Sequence, residues 1–210
     1  MKTKKSIEMK KLILLLAFFP FITFAQEYTE VVEVPGKNTD QIYATAREWF
    51  AETFNSANNV LQMDDPISGK LIGKGTTHVS ESYVTGGLGS IPITIDWYPN
   101  FTIKVSIKDG KYKCEITDIL IKSSMSVSNY SQIETPFKLY LEQKEYYKNA
   151  SDADWLSNNS PNGAKVGKVA ARISALTFKV IYNLTIETEE DMKSILMKLQ
   201  NKMKSTEENW

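Results

Sequence analysis

Apolar and polar residues alternate over residues 101–121, FTIKVSIKDGKYKCEITDILI, on both sides of Asp109-Gly110. Strict alternation puts every second side chain on one face of a β-strand, and an Asp-Gly pair between two such runs is the strongest short-range signal of a hairpin. A type I′ turn is expected there, with φ > 0 at both central residues. A two-residue loop sets the register, placing Lys108 opposite Lys111, Ile107 opposite Tyr112, Val105 opposite Cys114 and Ile103 opposite Ile116. One face then matches apolar with apolar, and on the other Lys104 meets Glu115 as an opposite-charge pair. The alternation fails near Asp118, where Phe101 would face a carboxylate. A bulge around Thr117-Asp118 returns Ile119 and Ile121 to the inner face.

Residues 27–34 are rich in β-branched side chains and end at Pro35-Gly36, which predicts a first strand. Asn38 or Thr39 caps a helix with Asp40 in its first turn, and Ile42, Ala46, Trp49, Phe50 and Phe54 recur at helical spacing, so Trp49 belongs to a core face. A short strand over 59–63, a turn over 64–69 and a strand over 71–78 follow. Gly73 and Gly75 inside that strand imply a bulge or a close backbone approach. Residues 79–90 become loop-like toward the run at 86–89, residues 91–98 alternate as a strand, and Pro99-Asn100 is expected to turn the chain into the hairpin. Beyond the hairpin come a polar linker over 123–134, a helix opened by Thr135-Pro136 and reaching about Ala150, and a loop over 151–163. Residues 164–186 fit a helix, while Leu176, Phe178, Val180, Tyr182, Leu184 and Ile186 also fit a strand; helix is preferred through about Tyr182 because no breaker intervenes. Thr188 with Asp191 resembles a capping box opening a separate last helix that carries Met192, Ile195, Leu196, Leu199 and Met203.

The N-terminus changes the picture of where the protein acts. Lys10-Lys11, the apolar run 12–24 and Ala25 have the form of a signal peptide over 1–25, with translation starting at Met1 or Met9. The run is short for a membrane span, so a periplasmic or secreted protein without a stable membrane anchor is expected after cleavage near Ala25. That segment holds five lysines against one glutamate, so a chain balanced at 25 basic and 25 acidic residues becomes mildly acidic. Such a balance speaks against nucleic acid and anionic membranes as partners. Cys114, the single cysteine, lies on the inner face of its strand and is expected to act as a small core hydrophobe.

The order strand, helix and antiparallel strands, with the wording VVEVPGKNTDQIYATAREWFAETFNSANNV followed by GKLIGKGTT, resembles a family of exported proteins from Bacteroides-type bacteria. The family is a domain of unknown function with a fold like that of the TATA-box-binding protein. Val34-Pro35-Gly36, Trp49-Phe50, Gly69-Lys70 and Gly73-Lys74-Gly75 carry the likeness. It implies an α+β fold, a curved antiparallel sheet with C-terminal helices, and an exported location. It implies no activity, and the architectural likeness does not imply DNA binding. The expected organisation is a signal peptide over 1–25, a TBP-like α+β domain over 27–123, a linker with one helix over 124–163, and a helical segment over 164–205 that packs on the sheet.

Candidate chemistry is sparse. His78 is the only histidine, and no GxSxG, HExxH, CxxC or EF-hand pattern occurs. The glycines at 86–89 precede a strand rather than the helix a phosphate cradle needs. Asp64-Asp65 lacks the companion oxygens of a calcium loop. No cofactor or metal is expected. The favoured function is a non-catalytic exported module binding a protein, peptide or glycan, with Tyr83, Tyr98 and Trp155 as contact residues, because aromatics near turns are often half exposed. Two alternatives stand beside it. A carrier of a small apolar ligand requires a cavity between the sheet and residues 164–186. An enzyme of unfamiliar type requires His78 or clustered carboxylates in a cleft.

Overall fold

The computed structural model describes residues 28–54, 60–84, 91–125, 134–159 and 167–205. The segment 1–25 and the glycines at 86–89 lie outside the described residues.

The hairpin is the axis of the molecule. β5 (Pro92–Lys108) and β6 (Lys111–Met125) pair antiparallel along their length, with Ile103 on Ile116, Val105 on Cys114 and Ile107 on Tyr112 as the alternation predicts. Every odd residue of β5 from Ile95 to Ile107 is buried and no even residue is. β6 changes parity once. Tyr112, Cys114 and Ile116 are buried before residue 118, and Ile119 and Ile121 after it. Asp118 and Ile119 together oppose Phe101, which is the expected bulge, and Asp118 takes the left-handed φ of 56°. Aspartate tolerates that region better than most residues with a side chain.

The hairpin carries a second layer of strands on each edge. β1 (Tyr28–Glu33) and β7 (Glu134–Pro136) lie beside β6, while β3 (Lys70–Thr76) and β4 (Val79–Val84) lie beside β5, with β2 (Leu61–Asp65) outside β3. All seven strands form one antiparallel sheet. Several expectations are corrected here. β5 runs straight through Pro99-Asn100 instead of turning, and the stretch 79–90, expected to become loop-like toward its end, opens with the strand β4. The register of β4 on β5 continues that of β3 without a shift, so β3 and β4 are one strand interrupted opposite Tyr98-Pro99. Pro99 accepts a bond from the Thr77 N–H at 3.1 Å but has no N–H to return, so the ladder opens there while the strand direction persists. The polar stretch after Ser123 starts as the end of β6, and Thr135-Pro136 belongs to β7 rather than to a helix.

The helices differ from expectation mainly at their ends. α1 (Thr39–Thr53) is capped by Asn38, whose side chain accepts from the Gln41 N–H while the Gln41 side chain accepts from the Asn38 N–H, a reciprocal cap contributing about 1 kcal/mol. The helix expected from Pro136 to Ala150 is two, α2 (Phe137–Glu142) and α3 (Lys144–Ala150). The expected loop over 151–163 contains α4 (Ala153–Asn158), capped by Asp152 through the Trp155 N–H at 2.8 Å. The two C-terminal helices are one 37-residue helix, α5 (Lys168–Lys204), and the Leu176–Ile186 ambiguity resolves as helix. Thr188 does not cap. It is buried, and its hydroxyl donates to the Leu184 carbonyl at 2.8 Å, satisfying itself within the helix.

α1 and α5 lie on the inner face of the sheet. Trp49 and Phe50 of α1 and Val180, Leu184, Met192, Leu199 and Met203 of α5 join Ile95, Trp97, Ile103 and Ile121 in one buried cluster. The space a carrier would keep open is therefore lined by well-buried side chains. Gly73 and Gly75 mark close approach, because a Cβ at either would press into the Phe50 or Phe101 ring, and at Gly73 the pairing with β2 also shifts by one residue between Leu61 and Met63.

The hairpin tip is fastened to the chain between β1 and α1. The Val34 N–H donates to the Gly110 carbonyl at 2.7 Å, the Gly110 N–H to the Lys37 carbonyl at 3.1 Å, and Asp109 accepts from the Thr39 N–H at 3.0 Å and hydroxyl at 2.6 Å. Under these ties only Gly110 is left-handed, at 70°, and the turn is not type I′. Gly69 is also left-handed, at 62°, and a Cβ there would stand 2.8 Å from the Ile107 carbonyl oxygen, whereas a Cβ on Gly110 meets nothing within 4 Å. Gly110→Ala is therefore expected to cost about 1–2 kcal/mol from backbone strain alone, and Gly69→Ala clearly more. Equal denaturation midpoints for the two variants would contradict this account.

Candidate functional site

The second face of the sheet carries no helix, and of its side chains only Thr117, opposite Thr102 at the bulge, is buried among the described residues. It is formed by the even positions of β3, β4 and β5 and by the outward positions of β6 and β1. An antiparallel sheet can leave one face to solvent, because every second residue is free to be polar.

A shallow trough of about 510 Å³ crosses this face where β3, β5 and β6 run side by side at the bulge. Thr76, Asn100, Thr102 and Leu120 form its floor, and Lys74 and Lys122 rise at its sides. A second depression of about 370 Å³ adjoins it, sharing Thr76, Asn100 and Lys122 and adding Tyr98 and Ser124. The Thr76 hydroxyl donates to the Asn100 side-chain oxygen at 2.6 Å, which turns the Asn100 amide nitrogen away from Thr76, toward a long contact of 3.4 Å with the Tyr98 carbonyl. Lys74 and Lys122 make no ion pair among the described residues. The trough thus offers ammonium and amide donors beside hydroxyls, and the carboxylates of Asp118 and of Glu134, the cross-strand partner of Lys122, also line it.

His78 stands at the upper end, half exposed, with Nε2 2.9 Å from Asp96 Oδ1 and its ring stacked on Tyr98 at 4.7 Å. Hydrogen bonds from His78 first and then Ser80 hold the Asp96 carboxyl below the usual carboxylate range. Ser80 spends its hydroxyl on the carboxylate rather than on the imidazole, so no nucleophile–base–carboxylate order exists here.

The three sequence candidates separate. Tyr98 lies on the open face beside the trough. Tyr83 points inward, its hydroxyl 3.3 Å from the Thr177 hydroxyl of α5. Trp155 packs edge-on against Tyr146 at 5.9 Å, which in turn meets Phe178. Thr76, Asn100 and Lys122 were missed. They come from three strands, and only the paired registers bring them together, although parity relative to Tyr98 marks Asn100 as a neighbour on the same face. Burial, with Glu30 and Glu115 nearby, pushes the Cys114 thiol up to about 12 and keeps it protonated in the core. Asp64 is held by Tyr43 and Arg47 from α1, and Asp65 by Ser68 and Ile67 in the turn, so both carboxylates are engaged within the protein.

Residues 28–122 match the model of a family described as a domain of unknown function (DUF4468) with TBP-like fold. This stretch is a DUF4468 domain. It spans β1 to most of β6 and holds nearly all of the trough, to which β7 adds Glu134. Two solved structures are similar. A DUF4468 family protein from Bacteroides ovatus aligns at 16% identity over 91% of this chain and 93% of that one, with a TM-score of 0.42. A TBP-like protein from Parabacteroides distasonis aligns at 9% identity over 87% and 97%, with a TM-score of 0.45. No curated protein matches the chain. No helix among the described residues is long and apolar enough to cross a membrane.

Asp64, Asp65, Asp96 and Asp109 are all held below the ordinary carboxylate range by hydrogen bonds, led by Tyr43, Ser68, His78 and Thr39 respectively. A carboxyl depressed in the folded state contributes stability above the unfolded pKa of about 4, and loses it as pH falls through the lower folded value. Glu187, pushed up by burial and by Glu81, acts in the opposite sense, one carboxyl against four. Thermal midpoints should hold from neutrality to about pH 5 and fall steeply below about pH 4, with a shallower fall for Asp96→Asn. A midpoint that rises on acidification would refute the assignment.

Proposed function

We propose that this protein is an exported, non-catalytic binding module that takes an acidic glycan in the trough on the open face of the sheet. One observation carries the reading: Lys74 and Lys122, free of ion pairs among the described residues, flank a floor of Thr76, Asn100 and Thr102, with Asp118 and Glu134 the two carboxylates that share the lining. Ammonium groups suit the carboxylates of uronic acid units, and the hydroxyl and amide groups suit their ring hydroxyls. Tyr98 adds an aromatic edge. A peptide strand would seek a free sheet edge, whereas the trough lies on a face whose long central strands already have neighbours on both sides. Export rests on the N-terminal segment, and the absence of catalysis on the arrangement of Ser80, Asp96 and His78.

Titration calorimetry with trigalacturonate and with neutral galactotriose tests this. The acidic trimer is expected to bind and the neutral one to bind far more weakly. Lys122→Gln and Asn100→Ala should each weaken the acidic trimer by about tenfold, the size of one charge-assisted hydrogen bond. Equal affinity for the two trimers, or no effect of either substitution, would reject the proposal.

A further inference from the structure

The open face carries more positive charge than the trough uses. Lys74 lies opposite Thr102, Lys104 opposite Ile72, and Lys70 opposite Ser106. Lys104 therefore sits diagonally between Lys70 and Lys74 on one face, with diagonal neighbours about 7–8 Å apart. The three ammonium groups make a zigzag that climbs from the lower part of the sheet into the trough wall. Lys108 opposite Lys111 extends the same sign toward the hairpin tip.

The fold answers this charge only in part: Asp65 is the cross-strand partner of Lys70. Glu115 is the cross-strand partner of Lys104, yet its carboxylate lies 2.6 Å from Lys113 on its own strand. Lys70, Lys74 and Lys104 have no ion pair among the described residues. Like charges at such spacing repel, and the row of three lysines runs between strands that answer it only at Asp65 and Glu115. The repulsion is relieved when something of opposite charge lies along the row. The lysines stand in a line rather than around a point, which suits a chain bearing carboxylates at intervals better than a compact anion.

We infer that Lys70, Lys104 and Lys74 form a ladder for an extended acidic polysaccharide, one part of which occupies the trough. This rests on the trough reading and adds to it the length and polymeric nature of the ligand. The carboxylates of successive uronate units would bridge the ammonium groups, and small side chains at Thr102 and Ser106 keep the path between the lysines open.

The test compares long-chain polygalacturonate with trigalacturonate on the wild type and on the Lys70→Gln/Lys104→Gln double variant. The wild type should bind the polymer at least about tenfold more tightly than the trimer, with a steeper loss on raising salt because more ion pairs are screened. The double variant should lose that advantage, keep its trimer affinity, and melt close to the wild type, since the repulsion removed offsets the attraction lost to Asp65 and Glu115. Unchanged polymer affinity in the variant overturns the ladder, as does tighter wild-type binding of poly-glutamate or of anionic vesicles than of polygalacturonate. A wild type that binds neither uronate defeats the trough reading. A wild type that binds the trimer normally, with a silent double variant, defeats the ladder alone.

Discussion

The unbroken parity of β5 is the constraint on which the rest of the molecule depends. Over seventeen residues its odd side chains are turned to a core and its even side chains to solvent. A one-residue slip would exchange the two sets, placing Ile103, Val105 and Ile107 in water. β6 can follow along its whole length only by inserting one residue at Asp118, which restores its own apolar set to the inner side. Four further strands take their register from this pair, and α1 and α5 have a continuous apolar surface to cover.

Once that surface is covered, local preferences yield to it wherever they conflict. Pro99 is tolerated in the middle of a long strand because the lost bond falls on one position of a neighbour, and the strand continues on either side. The Asp109-Gly110 corner keeps its place but abandons the expected turn geometry, since four hydrogen bonds to the segment between β1 and α1 outweigh the intrinsic preference of a two-residue loop. Thr188 has the spacing of a helix start, yet α5 passes through it. Burial against the sheet rewards a continuous apolar stripe, and the hydroxyl is satisfied one turn back.

The same parity that builds the core creates the open face. Each polar residue between two buried ones on β3, β5 and β6 is displayed beside its cross-strand neighbours, so small hydroxyl and amide groups gather at the bulge with Lys74, Lys122, Asp118 and Glu134 around them. A mildly acidic protein thereby presents a locally basic surface. Composition averages over the molecule, whereas a sheet sorts side chains by face. The DUF4468 domain supplies most of this surface, and α5 serves to close the opposite side.

The sequence alone determined the hairpin, its register, the bulge, the start of α1 to within Asn38 or Thr39, and the burial of Trp49 and Cys114. Each of these follows from period, local capping chemistry or the pairing of residues a few positions apart. It also contained the residues of the open face, but not their neighbourhood. Thr76, Asn100 and Lys122 become neighbours only because β3 and β6 lie on opposite edges of β5, a choice made by long-range packing. Tertiary structure likewise decided the path through Pro99, the fusion of two helices into α5, and the placement of Tyr98 on the open face, Tyr83 against Thr177 and Trp155 against Tyr146. Those outcomes depend on which surfaces meet across the fold, and the free energy of that meeting exceeds the preferences that short windows record.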